Sequence, residues 1–92
     1  MNDLEMTRLC AEAMGLEVAE QLGMMMFLNT QFEAAIYGPL ENDAQAMALV
    51  KKFGLEIKRV METWHVWDEQ GDGCVLSKNL NRAIVECVAK IR

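Results

Sequence analysis

The chain has 92 residues, of which 52% are apolar, and a net charge of -5 from 14 acidic and 9 basic residues. This length is typical of one domain, residues 1–92, with one hydrophobic core, and it argues against a multidomain protein. The acidic balance argues against a nucleic-acid ligand, because proteins that bind phosphate backbones cluster lysine and arginine.

Cysteine usage and hydropathy predict the compartment. Cys10, Cys74 and Cys87 occur without CxxC spacing, which favours reduced thiols over a disulfide framework. No apolar run approaches the roughly 18 residues of a membrane-spanning helix, and the first residues lack the pattern of a secretory signal. We therefore expect a protein of the cytoplasm without a membrane contact.

The first predicted element is a helix that begins after Asn2. Asn2 and Glu5 have the spacing of a capping box, and Gly15 is a typical residue to end the helix. Apolar residues recur between them at the spacing of one helix face. They are Met6, Leu9, Cys10, Ala13 and Met14.

The next twenty residues are less regular. Residues 16–22 fit either an extension of the helix or a short strand. Residues 24–28 form a continuous apolar run, which predicts a strand buried on both faces. Residues 29–31 would turn the chain, and residues 32–37 would return as a second strand.

A second helix follows Pro39. Asn42 and Gln45 form another capping box, and Gly54 ends the helix. Lysines in the last turn complement the helix dipole. The predicted buried stripe consists of Ala46, Leu49, Val50 and Phe53.

The last third of the chain predicts a second group of strands and a third helix. Residues 55–60 and 63–68 read as strands, residues 70–73 as a tight turn and residues 74–76 as a further short strand. The helix starts near Ser77 or Asn79. We expect its buried face to be Leu80, Ile84, Cys87, Val88 and Ile91. We expect its solvated face to include Arg82, Glu86 and Lys90.

This order of elements predicts an α+β fold, in which three helices flank a small, mostly antiparallel sheet. Strands joined by tight turns pair antiparallel, since a parallel partner needs a long crossover. Helices with one apolar face must cover a sheet or each other. We therefore expect the order α-ββ-α-ββ-α, arranged as an α/β/α or two-layer sandwich.

Three stretches resemble a known family. Residues 37–53, YGPLENDAQAMALVKKF, look like the "YNPL…DAxAMxLVKKF" signature of small phage and prophage proteins, with Gly38 in place of the usual asparagine. Residues 80–89, LNRAIVECVA, look like the closing helix of these proteins, and residues 8–15 look like their opening helix. The chain thus resembles the phage ABA sandwich domain family, whose function is uncharacterised. The resemblance implies a phage or prophage origin and an α/β/α arrangement, and it implies no catalytic or binding residues.

Two patterns suggest chemistry only weakly. The run that starts at Asp68 resembles a calcium loop, but its twelfth position is Asn79 instead of a bidentate glutamate, so a hairpin turn is favoured. His65 and Cys74 could approach each other across that turn, yet two ligands do not make a zinc site. A nucleophilic pair would also need an activated thiolate, which Asp72 disfavours. We expect no metal, no cofactor, no small-molecule ligand and no enzymatic activity.

The strongest candidates for an interface are methionines and tryptophans. Met24, Met25 and Met26 cannot all point into one core, and an edge strand at this position could pair with a second copy. Trp64 and Trp67 lie on opposite faces of one strand, so one of them is expected to need a cover. The sequence therefore predicts a protein partner or a two-fold homodimer.

The prediction for function is a non-enzymatic protein-binding or self-associating module of a phage or prophage. No cluster of an acid, a base and a nucleophile is present to carry a reaction. The alternative is a small nucleic-acid-associated phage regulator, which the net charge of -5 makes second choice.

Overall fold

A computed structural model describes residues 2–27, 36–69 and 75–91. The helices are α1 (Asp3–Ala13), α2 (Asp43–Phe53) and α3 (Leu80–Ile91). The strands are β1 (Val18–Gln21), β2 (Met24–Phe27), β3 (Ile36–Tyr37), β4 (Glu56–Val60), β5 (Thr63–Trp67) and β6 (Val75–Ser77). The predicted turns at 29–31 and 70–73, most of the predicted strand 32–37, Cys74 and part of the calcium-loop-like run lie outside the described residues.

Each helix begins after an asparagine whose side-chain oxygen accepts a hydrogen bond from the backbone N–H three residues later. These pairs are Asn2–Glu5 at 2.8 Å, Asn42–Gln45 at 3.0 Å and Asn79–Arg82 at 3.0 Å. Each bond satisfies one backbone donor that has no partner within the helix. The first two caps confirm the predictions, and the third shows that Asn79, not Ser77, caps α3.

The strands form two separate antiparallel sheets of three strands. Sheet A has the order β1-β2-β3, and sheet B has the order β4-β5-β6. The α+β class and the antiparallel pairing are confirmed, with the strands divided between two sheets. Residues 18–21 of the ambiguous segment form a strand, because Gly15, in left-handed backbone, separates them from α1.

Helix α3 connects the parts of the fold. It packs on β5 and β6 of sheet B and contacts both α1 and α2, while α1 packs on β2 of sheet A. The two sheets are therefore linked through the contact between α1 and α3. No helix in the described part of the chain is long and apolar enough to cross a membrane.

The buried face of α3 is wider than predicted because the helix has neighbours on several sides. Its fully buried residues are Ala83, Ile84, Val85, Cys87 and Val88. Leu80 and Ile91, which were predicted to be buried, are half-buried at the helix ends. Lys90 is exposed as predicted. Arg82 and Glu86 are half-buried, since their side chains pair with each other at 2.9 Å.

Candidate functional site

The register of sheet A separates its side chains into two faces. Met25 lies opposite Glu20 and Tyr37, whereas Met26 lies opposite Ala19 and Ile36. Neighbouring residues of a strand point to opposite faces, so the two methionines face in opposite directions. The face of Met25 packs toward the helices, and Met25 is 1% exposed. The other face, which we call the outer face of sheet A, consists of Ala19, Gln21, Met24, Met26 and Ile36.

The outer face of sheet A is apolar and carries no charge. Ile36 is 50% exposed and Met24 is 39% exposed, while Ala19 and Met26 are half-buried. Gln21 is the polar residue of the face. Scattered exposed apolar residues need no explanation, but a contiguous apolar face is typical of an interaction site.

Leu22 stands at one end of this face, at the tip of the hairpin that joins β1 and β2. Its side chain is 96% exposed, and its backbone has a φ of 54°. Left-handed backbone costs a leucine about 1–2 kcal/mol, and asparagine is the usual residue before glycine in such a turn. Folding therefore does not explain a leucine at this position.

A pocket of about 290 Å³ adjoins the outer face of sheet A. Met24 and Ile36 line both the pocket and the face, so the two features are continuous. The first turns of α1 and the segment after β3 form further walls, in which the apolar Leu4 and Leu40 lie beside the polar Thr7. Asp3 and Glu41 supply the carboxylates of its rim.

Tyr37 forms part of the pocket and of the core. It is 3% exposed, and its ring meets Phe27 edge to face, with 5.6 Å between centroids. Its buried hydroxyl has no hydrogen-bond partner among the described residues. Burial, followed by the neighbouring Cys10 thiol, raises the pKa of Tyr37 well above its usual range. The hydroxyl therefore stays protonated.

The buried cysteines are structural. Burial raises the pKa of Cys10 from 9.0 to about 12, and its thiol donates to the Val85 carbonyl over 3.7 Å. A nucleophilic cysteine needs a lowered pKa and access to solvent. Cys10 has neither, and Cys87 is also fully buried.

The part of the chain that carries the outer face of sheet A is acidic. Residues 2–27 and 36–42, which we call the acidic region, contain six carboxylate side chains and one arginine. That arginine, Arg8, lies 3.9 Å from Glu20, and Arg82 of α3 reaches Asp3 at 3.0 Å. An uncharged apolar face in an acidic part of a protein is complementary to an apolar surface that lies among lysines and arginines.

The predicted interface residues of β2 lie on two different faces of sheet A. Met24 and Met26 lie on the outer face of sheet A, but Met25 belongs to the core, so its inclusion in the interface was wrong. The possibility that β2 is an edge strand was also wrong, because β2 lies between β1 and β3. The prediction that β2 is buried on both faces was wrong as well, since Met24 on the outer face is exposed.

The two tryptophans lie on opposite faces of β5, as predicted. Trp64 packs against the core, and the Arg59 guanidinium lies 5.4 Å from its ring centre. Trp67 lies on the other face, where its indole N–H donates to the carboxylate of Glu56. Both tryptophans are half-buried. The interface role of Trp64 and Trp67 stays a prediction.

The face of sheet B that carries His65 combines polar and apolar side chains. His65 lies opposite Lys58 and Leu76, and Leu76 is 60% exposed. Over the residues that the structure describes, no group of three or more histidine, cysteine or acidic side chains could hold a metal ion. Cys74, the predicted neighbour of His65, lies outside that part.

Leu22 and Ile36 belong to the site but were not predicted from the sequence. A Leu-Gly pair between two strands, in place of Asn-Gly, is a signal that could have drawn attention to Leu22. No sequence pattern indicates Ile36, because the face of the sheet on which its side chain lies depends on its pairing with Met26. Comparison of the chain with protein-family models, with curated proteins and with solved structures finds no match.

Proposed function

We propose that this chain is a non-enzymatic protein-binding module that uses the outer face of sheet A. The observation that carries the proposal is the uncharged apolar face formed by Met24, Met26 and Ile36 within the acidic region. The partner is a protein surface on which apolar side chains stand among lysines and arginines. Nucleic acid is disfavoured as a ligand, because phosphates and the acidic region repel each other.

A partner of opposite charge is favoured over a second copy of this chain. A two-fold contact places the same patch of both subunits together. Such a dimer would bring the two acidic regions closer together, and like charges near an interface oppose association. A basic partner would instead be attracted by the same carboxylates. Self-association of the face therefore ranks second.

The charged edge strands β1 and β4 are less suited to binding than the outer face of sheet A. The edge strand β4 carries Lys58 and Arg59, and the edge strand β1 carries Glu20 on its inner face, near Arg8. Charges on an edge strand oppose pairing with another strand. The proposal therefore places the contact on side chains of the face.

The resemblance to the phage ABA sandwich family supports the biological setting of the proposal. It implies a phage or prophage origin, and we place the partner in the cytoplasm of the bacterial host. The buried Cys10, whose thiol donates to the Val85 carbonyl, suits a compartment in which thiols stay reduced.

Capture of the partner by matched variants tests the proposal. Met24 and Met47 are both exposed methionines, at 39% and 42%, and Met47 lies on α2. Immobilised wild-type chain, Met24→Lys and Met47→Lys are compared in a bacterial lysate, and each captured protein is purified and its rebinding measured. The two variants have the same net charge, so they differ only in the position of the lysine.

We expect a basic protein that rebinds the wild-type chain and Met47→Lys but binds Met24→Lys at least roughly tenfold more weakly, a difference of about 1.4 kcal/mol. A partner that binds both variants equally well would contradict the assignment of the face. Retention of nucleic acid at physiological salt would favour the regulator instead.

A further inference from the structure

We infer that the pocket between α1 and β3 receives one aliphatic side chain of the partner and that Asp3 and Glu41 bind an adjacent lysine or arginine of it. This inference rests on the proposed function, because the pocket opens beside the outer face of sheet A. It adds a sequence requirement to the partner: an aliphatic residue next to a basic one.

The size and walls of the pocket suit a single side chain. Its volume of about 290 Å³ is at the lower limit of pockets that hold drug-sized ligands. Leu4, Leu40 and Ile36 line it together with the buried Met25 and Tyr37. A partner side chain that fills such a pocket is a typical anchor of a protein interface, and the aliphatic lining favours an aliphatic one.

The rim supplies negative charge with room for a cation. The Asp3 side chain is 60% exposed, and only its Oδ1 binds Arg82, over 3.0 Å. Glu41 is exposed and forms no ion pair among the described residues. Carboxylates on the rim of an apolar pocket favour a partner residue with a long basic side chain next to its apolar anchor.

Hydrogen bonds hold the wall after β3 in a fixed position. The Gly38 N–H donates to the Gln45 side chain over 2.6 Å, and the Gly38 carbonyl accepts from the backbone N–H groups of Glu41 and Asn42 at 3.0 and 2.9 Å. The Asn81 side chain of α3 also donates to the carbonyl of the wall residue Leu40, over 3.5 Å. A preorganised wall loses little freedom when a ligand enters, which favours binding.

Gly38 lines the pocket and can carry a side chain without backbone strain. Its backbone is not left-handed, and a Cβ atom placed there would lie 3.9 Å from Ile36 Cγ2, an ordinary contact. Gly38→Leu therefore occupies part of the pocket, whereas Gly38→Ala adds one methyl group and serves as its control. Glu41→Gln removes a rim charge, and Glu5→Gln removes a charge from an exposed position that does not line the pocket.

The test begins with selection of random linear peptides, displayed on a surface, for binding to the wild-type chain. The enriched peptides are synthesised, and their affinities for the variants are measured by calorimetry. We expect enriched sequences with leucine, isoleucine or methionine beside lysine or arginine. We also expect roughly tenfold weaker binding to Gly38→Leu, a several-fold loss with Glu41→Gln that shrinks at high salt, and little change with Gly38→Ala or Glu5→Gln.

The possible failures are distinguishable. Peptides that lose affinity for Met24→Lys but bind Gly38→Leu as tightly as wild type would overturn the pocket inference and leave the proposed function intact. Enriched peptides without basic residues would overturn the role of Asp3 and Glu41. A selection that yields no peptide sensitive to either Met24→Lys or Gly38→Leu would contradict the inference and the proposed function together.

Discussion

Met26 of β2 lies directly opposite Ile36 of β3, and both side chains stand on the face of sheet A that points away from α1. Their neighbours Met25 and Tyr37 form the next pair of the same two strands and are almost completely buried. Adjacent residues of the same strand thus belong to the core of the protein and to its candidate interface.

Adjacent methionines should respond very differently to truncation. Met25→Ala should lower the free energy of unfolding by about 2–5 kcal/mol, because it leaves a cavity in the core. Met24→Ala should change it by less than about 0.5 kcal/mol, because Met24 is 39% exposed. Chemical denaturation of both variants measures the difference, and similar losses would show that the register is incorrect.

Leu22→Asn should stabilise the fold by about 1 kcal/mol, since asparagine tolerates the left-handed backbone that leucine adopts at this position. Leu22→Ala is the control, because alanine removes the exposed side chain and keeps the unfavourable backbone. If Leu22 contacts the partner, both variants should bind it more weakly, although one of them is more stable. Loss of stability in Leu22→Asn would indicate a structural role for the leucine.

Tyr37→Phe should raise the free energy of unfolding by about 1 kcal/mol. The hydroxyl of Tyr37 is buried without a hydrogen-bond partner among the described residues, and its removal relieves the cost of desolvation. Thermal and chemical unfolding check the sign. A decrease of more than about 1 kcal/mol would mean that the hydroxyl is satisfied in solution.

Stability should fall as the pH rises above 9. In the unfolded chain the Cys10 thiol ionises near 9.0, whereas burial holds its pKa at about 12 in the folded protein. Between these values the folded protein binds one more proton, so its stabilisation is complete below pH 9 and declines by at most roughly 1.4 kcal/mol per pH unit above it.

Chemical denaturation at about pH 8 and pH 10.5 measures this decline, and Cys10→Ala is the control because it lacks the thiol. The slope of stability against pH should be smaller in Cys10→Ala. Identical slopes in the two proteins would show that Cys10 is accessible to solvent.

The features of this fold that local chemistry determines could be predicted from the sequence. Asn2 and Asn42 cap their helices because each satisfies a backbone donor three residues away, and no distant residue takes part. Met25 and Met26 show the limit of such reasoning. They are the same residue type in adjacent positions, and only the pairing of β2 with β1 and β3 decides which of them is buried.

The candidate site could be predicted only in part for the same reason. Met24 and Met26 were identified because a run of three methionines exceeds what one side of a strand can bury. Ile36, which completes the face, follows β2 at a distance in sequence, and its orientation depends on non-local pairing. The pocket arises from three separate segments, so no local pattern indicates it.

Methyl NMR of the methionines tests the central claim most directly. The purified partner is added to protein labelled at its methionine methyl groups, and the signals are assigned by single substitutions. The signals of Met24 and Met26 should shift or broaden, whereas those of the exposed Met47 and Met61 should stay unchanged. Changes at Met47 or Met61 with constant signals from Met24 and Met26 would contradict binding through the outer face of sheet A.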